Sequence, residues 1–338
     1  MSPHRSPRPW AWATALALVA LAAAACGSGS SSGSPGGSAS AGKSAKHYTI
    51  AFVPGATGVS FYDTVLSGMQ AKAKTLGMTV TYQGSPDFAP SAQTPVVDGV
   101  CSKHPSVLIV APTDPVAMAA AINTCLNEGI PVITVDTQLS NTSRLTAEIT
   151  TDNTQGGQLA GAFLGKELHG SGQIAELSLS PTATTQVDRL QAVDSVLKSS
   201  YPGISVATLQ YTQQATSSSE TIVRSILSAH PQVKAIFGVA EPNAEGAIPA
   251  IAAAGMGGKV LVVGWDASPT EVSLLKKGTL AATVAQQAAQ EGATAAEYAY
   301  DKVTGKASKI TFHLSLPDVL LTSANVNQPG ESKYFYLP

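Results

Sequence analysis

Charge is scarce in this chain of 338 residues: Asp, Glu, Lys and Arg together make up 12% of it, and 20 basic residues nearly balance 22 acidic ones. A protein that grips nucleic acid by its phosphates needs a basic face, so this balance excludes nucleic acid as a partner. Cysteine is scarcer still. Cys26, Cys101 and Cys125 are widely separated and have no histidine at ligand spacing, which excludes a local metal knuckle and leaves no metal site to expect. Apart from one run near the start, no stretch is long and apolar enough to span a membrane. The signatures of covalent chemistry are missing as well. There is no Gly-x-Ser-x-Gly elbow, no His pair spaced for metal on a helix and no Walker-type phosphate loop, and PGATGV only loosely imitates a dinucleotide fingerprint. Among the six histidines, two sit in His-Pro turns, one near the start and one beside a Gly/Ser-rich stretch, so none is paired with a nucleophile. The expectation is a protein without catalysis and without a cofactor.

What the chain does have begins with His4, Arg5 and Arg8, an apolar run from Trp10 to Ala25, and then Cys26. A basic start, a short hydrophobic core and small residues before the cysteine form an export signal over residues 1–25. The next stretch, GSGSSSGSPGGSASAGKSA, has almost nothing to bury and makes a flexible tether over residues 26–46. Apolar-Ala-Ala-Ala-Cys ahead of such a tether resembles the lipobox of bacterial lipoproteins, which implies lipidation of Cys26 and anchoring at the outer face of the cell membrane. Ala23 stands where that pattern more commonly has leucine. Ordinary signal cleavage leaving a free thiol, or an uncleaved anchor, are the other readings.

Removing signal and tether leaves roughly 290 residues, a length that suits two domains. From Ile50 onward, short apolar runs alternate with helix-length amphipathic segments. Strands are expected at Ile50–Val53, Met78–Tyr82, Val107–Ala111, Val132–Val135, Ile174–Leu179, Ile204–Leu209, Ala235–Val239, Val260–Val263 and Leu280–Ala285. Their nearly continuous hydrophobicity fits parallel strands covered on both faces. Phe61, Val65, Leu66, Met69, Ala73 and Leu76 recur at helical spacing before Gly77, giving the first covering helix. The fold class is therefore α/β, with doubly wound sheets. Cys101 and Cys125 each fall near the end of a predicted helix, in an exported protein where disulfides persist. A bridge and two buried thiols both remain open.

A faint internal repeat carries the functional reading. His104-Pro105, an apolar strand, Pro112-Thr113-Asp114, a helix ending before Gly129 and PVITVD form one copy. His230-Pro231, an apolar strand, Glu241-Pro242-Asn243, a helix ending before Gly255 and VLVVGWD form the other. Each copy ends on an aspartate, Asp136 or Asp266, at the carboxyl end of a strand, the end that faces the ligand crevice in open α/β sheets. Two such lobes facing each other bring both carboxylates into one cleft.

With IAFV, FYDTVLSGMQ, VLIVAPTDP, GIPVITVDTQ, TTDNTQGGQLAG, Asp188-Arg189, AHPQVKAIFG, VVGWD and GTLAATVAQ in this order, the chain from about Ile50 to Leu316 resembles the periplasmic sugar-binding proteins of the ribose and galactose type. The resemblance implies the type I fold of periplasmic binding proteins: two doubly wound parallel-sheet lobes joined by three hinge crossovers. They are expected near Asp152–Thr154, Gln286–Gln287 and Ser315–Leu316, with residues 47–153 and 287–315 in lobe I and 154–286 and 316–338 in lobe II. It also implies a monomer that delivers its ligand to an ABC permease and its ATPase.

By the same resemblance Phe61 and Tyr62 are the aromatic pair that sandwiches a sugar ring, and Asp136, Arg189, Asp266 and Gln286 are polar ligand contacts. Val59, Thr137 and Ala240 stand where ribose-type contacts are common, with Glu241 next to Ala240, and Gln214 stands where an aromatic residue is usual. Those departures remove ribose-type contacts, so the resemblance supports a sugar or polyol more strongly than it supports ribose itself. Carboxylates accept from vicinal hydroxyls, arginine donates through a planar fork, and aromatic rings cover C–H faces, so the set suits a polyhydroxylated ligand, foremost a monosaccharide. Capping is the expected role of Asp152, Asn153, Thr113 and Asp114, and Trp265 serves either as a plate or as packing. A transcriptional regulator of this fold needs a helix-turn-helix where the signal and tether stand. A receptor subunit sensing a sugar-like signal molecule, without nutrient uptake, remains the alternative.

Overall fold

A computed structural model describes residues 47–337. The expectations for residues 1–46, Cys26 included, lie outside the described residues. Tyr48–Val53 (β1), Met78–Tyr82 (β2), Val107–Val110 (β3), Val132–Val135 (β4), Ala147–Thr151 (β5) and His313–Leu316 (β11) form one six-stranded sheet in the order β11-β5-β4-β3-β1-β2. Ser171–Ser178 (β6), Gly203–Tyr211 (β7), Val233–Gly238 (β8), Leu261–Trp265 (β9), Ala282–Ala285 (β10) and Val319–Thr322 (β12) form a second in the order β12-β10-β9-β8-β6-β7. The two orders are the same pattern twice, so the faint sequence repeat is a duplicated topology. All strand neighbours are parallel except β10 and β12. That antiparallel edge is the one departure from all-parallel lobes.

The central strands β3, β4 and β10 are buried along their whole length because helices cover both faces of each sheet. In lobe I, Ile50 and Phe52 pack under Ser60–Thr75 (α1) and Ala288–Val303 (α9), while Ala51 and Val53 pack under Pro90–Cys101 (α2) and Ala119–Asn127 (α3). This is the period of two expected of a strand between two layers. In lobe II, Ile174 and Phe237 face Asn153–Glu167 (α4) and Thr184–Ser200 (α5). Leu177 and Ile236 face Thr216–Ala229 (α6), Glu241–Ala253 (α7) and Pro269–Lys276 (α8). Cys101 and Cys125 are disulfide-bonded and fully buried, tying α2 to α3.

The chain changes sheets between β5 and α4, between β10 and α9, and between β11 and β12. The third crossing departs from expectation. Ser315 and Leu316 stay on β11, paired with Thr150 and Thr151, so the crossing falls on Pro317 and Asp318, where proline ends the ladder. Side chains knit the crossings together. Thr151 donates to Gln286 Oε1 at 2.7 Å, Gln287 Nε2 donates to Pro317 O at 2.9 Å, and Gln155 Nε2 donates to Asp318 O at 3.2 Å while Asp318 N donates back to Gln155 Oε1 at 2.9 Å. At Gly156 an added Cβ would lie 2.5 Å from both the Asp318 carboxylate and the Trp265 ring, so the start of α4 tolerates no side chain there.

Candidate ligand site

Both strand-end aspartates arrive at the cleft the same way. Asp136 follows β4 with φ 60° and Asp266 follows β9 with φ 88°, left-handed conformations that β-branched residues avoid and aspartate tolerates. Each backbone carbonyl accepts a threonine hydroxyl from the neighbouring strand: Thr150 to Asp136 at 2.8 Å and Thr283 to Asp266 at 2.7 Å. The turn out of the strand aims each carboxylate between the lobes, and the threonine holds it there.

The cleft between the lobes is lined by Val59, Phe61, Tyr62, Phe88, Asp136, Arg189, Gln214, Asp266 and Gln286, and the cavity they leave is about 40 Å³. Arg189 projects from the first turns of α5 and is almost wholly buried. It donates through Nε to Asn153 Oδ1 at 2.7 Å, through one terminal nitrogen to Val239 O at 2.8 Å and through the other to Gln286 Oε1 at 2.9 Å, with its guanidinium 4.3 Å from the centre of the Trp265 ring. A buried cation without such partners would cost several kcal/mol. Gln286 passes the chain onward: its Nε2 donates to Asp266 Oδ1 at 2.6 Å. Asp266 Oδ2 accepts the backbone N–H of Glu241 at 3.0 Å. On the facing lobe Tyr62 donates to Asp136 Oδ2 at 2.6 Å, and the N–H of Asp136 donates to the buried Glu291. Phe61 packs edge-on against Tyr62, with ring centres 5.1 Å apart.

Carboxylates outnumber cations here. Burial raises Asp136 to about 6, against the opposing pull of Arg189 and the Tyr62 hydroxyl. Burial also raises Glu241 to about 8, against the hydrogen bond it accepts from Ser60 across the cleft. Glu291 is held well above the usual carboxylate range by burial and by neighbouring Asp136. Fixed acceptors, one planar donor and aromatic walls can grip a neutral ligand rich in hydroxyls.

The structure brings Phe61, Tyr62, Asp136, Arg189, Gln214, Asp266 and Gln286 to one cavity, whereas Glu241 lies beside it in an adjoining recess with Val59, Gln214 and Pro242. Trp265 is fully buried behind Arg189, which resolves the choice between plate and packing in favour of packing. Asp152 caps α4 through Gln155 N at 2.9 Å, and Asp114 accepts from Val116 N and Ala117 N at 2.8 and 2.7 Å. Asn153, expected to cap, instead orients Arg189. Sequence reasoning missed Phe88, Glu291 and Tyr336. Phe88 sits in a loop without periodicity, and the other two reach the aspartates only through contacts distant in sequence.

Known proteins share the fold that carries this site. A sequence profile described as a periplasmic binding protein domain matches residues 50–307. The ribose import binding protein of Bacillus subtilis is 28% identical over 272 residues, covering 80% of this chain and 86% of that protein. The solved structure of an ABC transporter solute-binding protein from Agrobacterium vitis bound with α-D-tagatopyranose matches with a TM-score of 0.82 at 28% identity, covering 86% of this chain and 100% of the other. A second solute-binding protein from the same organism, with bound D-fucose, matches with a TM-score of 0.81 at 26% identity, covering 85% and 100%.

Proposed function

This chain belongs to the periplasmic binding protein family, and we propose that it is an extracytoplasmic solute-binding lipoprotein that captures a monosaccharide or polyol between its lobes and hands it to an ABC importer. The observation that carries this reading is the pair of strand-end carboxylates, Asp136 and Asp266, sharing one cavity with Arg189 and the rings of Phe61, Tyr62 and Phe88. A sugar offers vicinal hydroxyls to the carboxylates and guanidinium and C–H faces to the rings. Ligands of the related proteins, ribose, tagatose and fucose, are of this class. Lobe I comprises residues 47–153 and 287–316, and lobe II residues 154–286 and 319–337. Cys26 is the attachment point of the lipid, tested by the mass of the processed N-terminal peptide from membrane fractions.

The deciding experiment is a thermal-shift screen of the purified mature protein against D-ribose, D-tagatose, D-fucose, other pentoses and hexoses, alditols and inositols. A ligand bound by the folded form alone raises the midpoint. A rise with one or a few of these compounds is the expected result. A flat response to all of them, with a rise from amino acids or peptides, would overturn the assignment to polyhydroxylated ligands.

A further inference from the structure

The segment after β12 does not stay on the lobe it leaves. Val326 is buried in the core of lobe II, and Tyr334 and Phe335 pack against that core, with Lys276 of α8 lying over the Phe335 ring at 5.6 Å. The next residue turns across the cleft. Tyr336 still holds lobe II through its backbone N–H to Ala267 O at 3.0 Å, but its ring belongs to the core of lobe I, 5.8 Å from the centre of Phe61 and tilted by 62°. Leu337 then donates its N–H to Thr64 Oγ1 on α1 at 2.8 Å. One short stretch thus makes directional contacts with both lobes beside the ligand cavity.

The hydroxyl of Tyr336 has a particular target: it donates to Asp266 Oδ1 at 3.0 Å, the oxygen that also accepts from Gln286 at 2.6 Å. With Glu241 N on Oδ2 at 3.0 Å, three protein donors fix the carboxylate plane and leave the remaining acceptor capacity on Oδ2. Tyr336 also backs Phe61, so Phe61 is braced between Tyr62 and Tyr336. Tyr336 is not itself among the residues lining the cavity; it reaches the site through Asp266 and Phe61.

We infer that Tyr336 is a positioning residue of the ligand site, and that the segment Glu331–Leu337 is a latch that ties the two lobes together beside the cavity whether or not a ligand is bound. The binding half of this inference rests on the proposed sugar-binding function; the latch does not. Losing the hydroxyl frees Asp266 to rotate and lowers affinity, while losing the whole ring also loosens Phe61 and lets the lobes part faster.

Two measurements on the mature protein separate these possibilities. Hydrogen exchange needs no ligand: the amides of Tyr336 and Leu337 should be protected in the wild type, and those of Tyr336, Leu337 and the start of α1 should exchange faster in Tyr336→Ala. Rapid exchange at Tyr336 and Leu337 in the wild type would overturn the latch. Binding is then measured by calorimetry and stopped flow with whichever of D-ribose, D-tagatose and D-fucose gives the largest thermal shift. Tyr336→Phe keeps the ring and should melt within about 2 °C of wild type, yet bind about 5-fold more weakly, the worth of one buried hydrogen bond. Tyr336→Ala should lose roughly 30-fold, mostly as faster dissociation. Wild-type affinity in Tyr336→Phe would overturn the positioning role, whatever its melting point. Should none of the sugars bind the wild type, the proposed function fails while the exchange data still decide the latch.

Discussion

Asp136 and Asp266 are equivalents across the two lobes. Each ends the strand next but one to the edge of its sheet, each has a positive φ, and each has its carbonyl held by a threonine from the adjoining strand. An aspartate in that conformation stores of order 1 kcal/mol of strain, which a purely structural residue would shed by becoming glycine or asparagine. Their side-chain partners differ: Asp136 is held by one tyrosine, Asp266 by Gln286, Tyr336 and the N–H of Glu241. The duplicated backbone delivers two acceptors, and the unshared partners orient them for an unsymmetrical ligand.

Replacing Asp266 by asparagine keeps the shape and removes the charge: its oxygen still accepts from Gln286 and Tyr336, but an amide nitrogen in the place of Oδ2 sets a donor against the N–H of Glu241. Sugar affinity should fall by about 2 to 4 kcal/mol, roughly 30-fold to 1000-fold, measured by calorimetry beside the exposed control Lys277→Ala. Arg189→Ala should weaken binding and also lower the melting temperature, because it strips Asn153, Val239 O and Gln286 of their shared donor. Wild-type affinity in both cleft variants would remove the site from this cleft.

Stability should decline as pH rises. Glu241 is raised from 4.5 to about 8 and Asp136 from 3.8 to about 6, both chiefly by burial. In the window between the unfolded and folded values the folded protein binds more protons than the unfolded chain, so unfolding free energy falls with increasing pH. The contribution is complete below about pH 4 and is lost through about 6 for Asp136 and about 8 for Glu241. Asp266, Glu245 and Asp63 surround Glu241 and add repulsion once it ionises. Melting temperatures of the mature protein from about pH 5 to about pH 9 should drop, and Glu241→Gln should flatten the upper part of the decline. A rise across that range would show that the carboxyl is not buried as described.

The central strands are legible in the sequence because each is a nearly unbroken apolar run, and Val132–Val135 matches its expected bounds to the residue, as does the edge strand Met78–Tyr82, where apolar residues alternate with threonines. Hidden from it are β5, β11 and β12, which lie at or next to sheet edges: β5 and β11 mix Glu148, His313 and Ser315 with few apolar residues, and β12, VLLT, is only four residues long. All three adjoin crossings, where the alternation of strand and helix breaks. In the site, Asp136, Asp266 and Arg189 stand out through the repeat and the family order of motifs. Asn153 reads as a helix cap because its local position at the start of α4 says nothing of Arg189 on the next helix. Tyr336 and Asp266 are 70 positions apart, a contact that no periodicity encodes.

The disulfide should stabilise without touching function. Cys101 and Cys125 close a loop of sequence separation 24, which in the chain-entropy account is worth about 3 kcal/mol. Neither sulfur lines the cleft. The double variant Cys101→Ala/Cys125→Ala should shift the urea midpoint downward by an amount matching that energy while sugar affinity stays within about 2-fold of wild type, a change below about 0.5 kcal/mol. A parallel loss of affinity would mean that α2 and α3 help shape the cleft, through Phe88 ahead of α2.

The lobes should open and close as rigid bodies about the three crossings, since each sheet has its own cores and the crossings are short. Away from the crossings and the Tyr336–Leu337 latch, the contacts that span the cleft include the polar pairs Ser60 to Glu241 and Gln138 N to Thr184 Oγ1 at 3.1 Å. Exposed to competing water in an open form, each is worth of order 1 kcal/mol, too little by itself to hold the lobes shut. A sugar bonded to Asp136 on one side and to Asp266 on the other adds the missing differential binding energy, and only to the closed form. Small-angle scattering of the mature protein should therefore give a smaller radius of gyration with saturating sugar than without it. Ser60→Ala, which removes one spanning bond, should widen that difference by opening the sugar-free form further. Identical profiles for wild type and Ser60→Ala, with and without a sugar proven to bind, would mean that the lobes do not move on these hinges.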